Sequence, residues 1–283
     1  MSPTLAQSGL ASPFRAFPLP PLFSVYSKEA MKKYLLVLFL SAIALAGKAQ
    51  APRVIAHRGY WDCAGSAQNS LTSLAKAAEA GVYGSEFDMQ LTQDGVLVVN
   101  HDDDIQGHLI ADTPFAELSA LTLSNGEPLP TLRTYLETGS ALNVQLILEI
   151  KPLGSAEKED EAVRKTVAMV RELGLEERVE YISFSLNACE RLAEATPGSA
   201  IAYLTGDMEP GELQAKGING IDYPVRAFTQ RPDWVKAAHE LGMKVNVWTV
   251  NKDEQIRAMI ALGVDYITTD RPLDAKAMVV GQE

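Results

Sequence analysis

The chain has 283 residues with 25 basic and 36 acidic side chains, a formal net charge of −11. Such an acidic surface repels nucleic acid and anionic membranes, so an anionic ligand would have to be met by local basic groups. The two cysteines, Cys63 and Cys189, are too few for a disulfide framework; no spacing supports a bridge, and they are expected to be free, partly buried thiols.

In chain order, Met31-Lys32-Lys33 gives a positive start, Tyr34 to Ala46 an apolar run and Gly47-Lys48-Ala49 a small-residue cleavage context. Together they read as a secretory signal peptide over 31–50. The apolar run is shorter than the ~20 residues a membrane span needs, so no stable membrane anchor is expected. No cysteine stands near the cleavage point, which argues against a lipid-modified start. Residues 1–30, rich in Pro and Ser, are read as a disordered or over-extended beginning ahead of a start at Met31. The expectation is export, to the periplasm or beyond. The first fifty residues hold five basic groups and one acidic, so residues 51–283 carry 20 and 35, a net of −15. That length suits one large core and a single domain.

From Arg53 onward, apolar runs alternate with helical patterns. Strands are expected at 54–56, 85–90, 145–150, 179–183, 200–204, 220–223, 244–249 and 266–269. Helices are expected between them, as at 71–80, 131–139, 157–173, 186–195, 232–241 and 253–262, with Gly81, Gly139, Gly174, Gly242 and Gly263 as their stops. Strand then helix, eight times over, predicts an α/β fold, a (β/α)8 TIM barrel. A doubly wound sheet would want a glycine-rich phosphate loop after the first strand, and none is there.

The stretch Glu86 to Asp102 carries most of the chemistry. Glu86, Asp88 and Gln90 alternate with Phe87, Met89 and Leu91, so two carboxylates stand side by side on one face. That is costly without a cation or solvent between them. A turn at Gln93-Asp94-Gly95 returns the chain through Val96 to Val99 and delivers His101. The first strand ends in His57-Arg58-Gly59. In Leu146 to Lys151, Glu149 interrupts an apolar strand, and Lys151 points the same way. Trp248 closes the seventh strand and Thr269-Asp270 the eighth. In a barrel all of these fall at or near carboxyl-terminal strand ends, the face that carries chemistry.

Taken in order, the motifs His57-Arg58-Gly59, Gln68-Asn69-Ser70, Glu86-Phe87-Asp88, Asp94-Gly95 with His101-Asp102, Leu129-Pro130-Thr131-Leu132, Glu149-Ile150-Lys151, Trp248-Thr249-Val250-Asn251 and Gly263-Val264-Asp265 with Thr269-Asp270 resemble those of the glycerophosphodiester phosphodiesterase family. The resemblance spans about Arg53 to Pro272. It implies hydrolysis of a small-molecule phosphodiester to glycerol phosphate and an alcohol. It further implies a divalent metal on Glu86, Asp88 and Glu149, His57 and His101 as acid and base, and phosphate contacts from Arg58 and Lys151. Trp248 is expected either to pack the barrel or to wall the substrate.

Elementary chemistry agrees. Three carboxylates without cysteine favour a hard ion, Mg²⁺ or Ca²⁺, over Zn²⁺. Two imidazoles suit acid and base near neutral pH, and Arg58 and Lys151 supply the positive field that the surface lacks. His101, beside a segment expected to face the alcohol, is the expected acid. His108 and His239 are expected at the surface, and Asp102 to Asp104 as a solvated turn. Two departures from the family pattern stand out. Gln68 replaces an acidic residue, and the segment after His101 is short and acidic. A glycoside hydrolase would also be an exported barrel with paired carboxylates, but has no use for two histidines and Arg58 at the strand ends. A non-catalytic binding barrel would have lost one of these groups. The oligomeric state is not legible.

Overall fold

Apolar, β-branched runs alternating with amphipathic stretches bury themselves best as a sheet wrapped in helices. The computed structural model describes residues 51–281; the expected leader at 31–50 and the stretch before it lie outside the described residues. The strands are β1 (Arg53–Ala56), β2 (Gly84–Leu91), β3 (Leu97–Val99), β4 (Asp104–Ile105), β5 (His108–Leu109), β6 (Gln145–Ile150), β7 (Val179–Ser183), β8 (Ile201–Tyr203), β9 (Gly220–Pro224), β10 (Lys244–Trp248) and β11 (Tyr266–Thr269). β1, β2 and β6 through β11 run parallel, and β1 pairs with both β2 and β11, which closes the sheet. Helices follow each barrel strand, among them Leu71–Ala80, Leu132–Ser140, Ala156–Glu172, Leu186–Ala195, Asp253–Leu262 and Pro272–Val280. The fold is the expected (β/α)8 barrel.

Strand alternation divides the side chains into two sets. Phe87, Met89, Leu146 and Leu148 face outward into the large core beneath the helices, with the Phe87 ring 4.3 Å from that of Tyr135. Each such side chain, fully buried, contributes about 1.5–3 kcal/mol. Ile55, Ile147, Ile182 and Tyr266 form a separate, smaller cluster. Ile147 and Glu149 have the same parity on β6, so the carboxylate stands in the barrel one layer nearer the mouth. Helix 71–80 starts at Ser70, whose hydroxyl accepts from the Ser73 amide, and stops at Gly81 in the left-handed region. Losing such an N-cap costs about 1 kcal/mol. Gly139 is not the stop it was expected to be. Helix Leu132–Ser140 runs past it, and a Cβ there would come within 2.7 Å of Leu146. This glycine serves close helix-to-strand packing.

The chain between β2 and helix 132–140 is the one large excursion. β3 pairs antiparallel with β2, β4 and β5 form a small hairpin, and Val98, Ile105, Ile110, Leu118 and Leu129 make a local core. Glu127 Oε2 accepts from the backbone amides of Leu71 and Thr72, tying this excursion to the first helix. Among the described residues, no helix is long and apolar enough to cross a membrane.

Candidate active site

The register of β2 on β6 sets Asp88 directly opposite Glu149. Glu86 lies two residues back on the same face as Asp88, so three carboxylates converge. One oxygen from each lies within 4.8 Å of the others, and all three residues are buried. Burial, then Asp88, then Glu149 drive the Glu86 carboxyl well above the usual range. Burial and Asp88 raise that of Glu149. Asn69 Nδ2 donates to Asp88 Oδ2 at 2.8 Å, and the Asp88 amide donates to Asn69 Oδ1 at 3.1 Å. The Arg58 amide donates to Glu86 Oε2 at 2.7 Å. Glu149 Oε1 is buried and makes no hydrogen bond of good geometry among the described residues, although the Lys151 ammonium lies 3.3 Å from it. Three buried carboxylates converging on one point are a set of hard oxygen donors, and they fit a hard divalent cation.

The cations flank this triad. Lys151 Nζ lies 3.3 Å from Glu149 Oε1 and 3.7 Å from Asp88 Oδ1. Burial would lower the ammonium's pKa, but the carboxylates prevail and raise it. Arg58 Nε lies 3.8 Å from Asp88 Oδ2, while its Nη1 donates to Gln68 Oε1 at 2.6 Å. Gln68, the departure noted above, therefore touches the arginine. Arg58 itself has φ +53°, a left-handed conformation that a non-glycine residue holds only under constraint. Three groups constrain it: its amide bond to Glu86, the Gly59 amide on Glu86 O and the Asn69 amide on Arg58 O. Gly59 also needs a positive φ, and a Cβ there would lie 2.3 Å from the Ser73 hydroxyl.

The two histidines line one cavity together with Arg58, Glu86, Glu149, Phe184, Leu204 and Trp248. His57 Nδ1 bonds Asp270 Oδ1 at 2.8 Å, and His101 Nδ1 bonds Asp102 Oδ1 at 2.8 Å. Both rings therefore keep Nε2 for other partners. Burial lowers the pKa of His101, outweighing the carboxylates of Asp88 and Asp102. Trp248 is half-buried, edge-on to Phe184, and donates Nε1 to Asp222 O at 2.8 Å; it walls the cavity. The sites singled out in the sequence thus meet at one mouth.

Other residues acquire roles that sequence reading missed. Asp270 was visible only as part of a motif. It accepts from Trp61 Nε1 at 2.9 Å and Asn251 Nδ2 at 2.5 Å as well as bonding His57. Asp102, expected as a merely solvated turn residue, is exposed but holds His101. His108 pairs with Glu117 and His239 with Asp265; both are half-exposed, and neither lines the cavity. Cys63 and Cys189 are free.

Basic groups set among buried carboxylates have a use where an anionic ester must be held against like charge, and this places the barrel among hydrolases of phosphate esters. Comparison with known proteins makes the assignment specific. Residues 57–274 match the sequence profile of the glycerophosphoryl diester phosphodiesterase family. A glycerophosphodiester phosphodiesterase from Caldanaerobacter subterraneus is 29% identical over 233 residues, covering 77% of this chain and 94% of that protein. The crystal structure of a glycerophosphodiester phosphodiesterase from Parabacteroides distasonis is 46% identical, with a TM-score of 0.82 over 83% of this chain and 99% of that one. An Oleispira antarctica phosphodiesterase, solved with the product sn-glycerol-3-phosphate, is 26% identical with a TM-score of 0.71, covering 82% of this chain and 97% of its own. The chain belongs to the glycerophosphoryl diester phosphodiesterase family, and it is a phosphoric diester hydrolase acting on glycerophosphodiesters.

Proposed function

We propose that the enzyme hydrolyses glycerophosphodiesters to glycerol phosphate and an alcohol with a divalent cation, Mg²⁺ or Ca²⁺, on Glu86, Asp88 and Glu149. The observation that carries this is the Asp88–Glu149 register, which with Glu86 brings three buried carboxylate oxygens within 4.8 Å of one another. A bound cation would offset phosphate charge among these carboxylates. Arg58 and Lys151 hold the phosphate oxygens and stabilise the charge that grows on them. His57 and His101 move protons through Nε2, one taking the proton of the attacking hydroxyl and the other giving one to the leaving alcohol. We assign the two roles in the reverse of the order expected from the sequence, on the burial of His101. Burial lowers the His101 pKa, which favours the neutral ring a base needs. His57, facing an ionised Asp270, serves as acid. Phe184, Leu204 and Trp248 close one side of the cavity to water.

Export through the segment at 31–50 is part of the proposal, resting on its charge and hydropathy pattern alone. The direct test is release of choline from glycerophosphocholine with and without chelator, by the wild type and Glu149→Gln. Full activity in chelator would rule out the cation's role.

A further inference from the structure

On β2 the side chains turned toward the mouth are Glu86, Asp88 and Gln90, and the cation site uses only the first two. Gln90 is 5% exposed. Its Nε2 lies 2.9 Å from the carbonyl oxygen of Asn100, 3.3 Å from that of His101 and 2.6 Å from that of Asp102. Three successive carbonyls converge on one amide. Its NH₂ must face them, because an amide oxygen in that place would meet three oxygens. Two hydrogens serve the two nearer carbonyls and share the third. The Asn100 amide donates to Asp88 O at 2.9 Å, and Asn100 Nδ2 donates to Asp102 O at 2.7 Å. The backbone that carries His101 is thus wound over the end of the strand that carries the carboxylates. The other tether of the ring, Asp102, is its exposed chain neighbour, so it travels with the loop and cannot place it.

We infer that Gln90 is a positioning residue: its amide gathers the carbonyls of Asn100, His101 and Asp102 and so sets the His101 imidazole at a fixed place beside Glu86 and Asp88. One strand face then lays out both halves of the chemistry, carboxylates first and proton-transfer group last. The inference rests on the reading of His101 as a proton-transfer group. A buried glutamine that only satisfied the fold would show the same bonds, so the test must separate placing His101 from holding the loop.

The substitutions Gln90→Met, Gln90→Glu and Gln90→Lys are compared in the wild type and in His101→Ala, with choline release from glycerophosphocholine as the rate and calorimetric Ca²⁺ binding as the control. Gln90→Met keeps the bulk and loses the donors; kcat should fall about 10- to 100-fold, with KM and Ca²⁺ affinity within about 3-fold. Gln90→Glu should fall further, since its carboxylate faces carbonyl oxygens. Gln90→Lys offers three donors and should recover much of the rate. In His101→Ala, adding Gln90→Met should change kcat less than about 2-fold, because groups acting through one residue are not additive. Equal slowing of wild type and His101→Ala would make Gln90 a general support and overturn the proposal. So would full activity of Gln90→Met, or a Gln90→Lys no faster than Gln90→Glu; that last pair decides the matter if the Met variant does not fold. A His101→Ala enzyme as fast as wild type would instead remove the reading on which the inference stands.

Discussion

His57 and Asp270 are 213 residues apart in the chain, yet His57 Nδ1 lies 2.8 Å from Asp270 Oδ1. Barrel closure brings them together. β1 pairs with β11 so that Ala56 faces Thr269, and the next residue on each strand is the histidine or its carboxylate. Trp61 and Asn251 donate to the same carboxylate, which leaves Asp270 an acceptor only and makes Nδ1 of His57 the protonated nitrogen. Nε2 is then the atom that works on substrate.

Replacing Asp270 with Asn should therefore cost far more than one hydrogen bond. An amide that keeps its oxygen on His57 and Trp61 turns its NH₂ on Asn251 Nδ2, and in either orientation the negative charge beside the imidazole is lost. A fall in kcat of about 10²–10⁴-fold with little change in KM is expected. There is a stability counterpart. Burial would raise the Asp270 pKa, but its bonds to His57, Trp61 and Asn251 hold it at about 2. A depressed carboxylate gives stability that is present above its unfolded value and lost as pH falls through the folded one. Wild type should lose stability between about pH 4 and 2, and Asp270→Asn should show a flatter curve there by thermal melts.

The carboxylate triad makes a different demand. Burial and mutual repulsion raise Glu86 and Glu149, so in the absence of cation the folded state loses stability as pH rises past the unfolded values of these groups. Saturating Mg²⁺ or Ca²⁺ should raise the melting temperature at pH 8, and chelator should lower it. Glu149→Gln should weaken cation affinity by at least about 10-fold in calorimetry, yet melt higher than wild type in chelator at pH 8. A variant that binds the cation normally would remove Glu149 from the ligand set.

The carboxylates and their barrel placement were legible because charge inside apolar strands is rare and must be compensated. Strand alternation then gave the face. What stayed hidden depended on register between distant segments. Asp270 reads as a strand-end motif until β11 closes on β1. Gln90 reads as one more polar residue of an alternating strand until β3 brings the carbonyls of Asn100 to Asp102 over it. Gly139 was misplaced for a related reason. A glycine near the end of a helical pattern looks the same whether it relieves a left-handed turn or admits Leu146 against the helix.

Asp222 tests how far the barrel interior tolerates charge. It is 1% exposed on β9, and its Oδ1 has no hydrogen-bond partner among the described residues. Burial pushes its carboxyl up to about 7, and its charge also raises Glu149. A raised carboxylate favours the fold below its unfolded pKa, and the advantage drains away as pH climbs to the folded value. Asp222→Asn should leave the melting temperature at pH 4 unchanged and raise stability at pH 8 by on the order of 2 kcal/mol. Equal effects at both pH values would show that the substitution acts through packing.

The leaving group separates the two histidines. If His57 protonates the departing alcohol, its loss matters most for a poor leaving group such as choline. With a p-nitrophenyl ester the leaving oxygen departs without a proton, so His57→Ala should recover most of its lost rate, while His101→Ala, lacking the base, should stay about 10²–10⁴-fold slow. The pH profile carries the same assignment. Activity should need a neutral His101 and a protonated His57, giving a bell in kcat/KM between roughly pH 5 and 9. The acid limb belongs to His101, whose pKa burial lowers. On the p-nitrophenyl substrate the alkaline limb, set by the acid, should flatten while the acid limb remains. Rescue of His101→Ala in place of His57→Ala would restore the order of roles first read from the sequence. Equal rescue of both would mean that the pair does not divide the work at all.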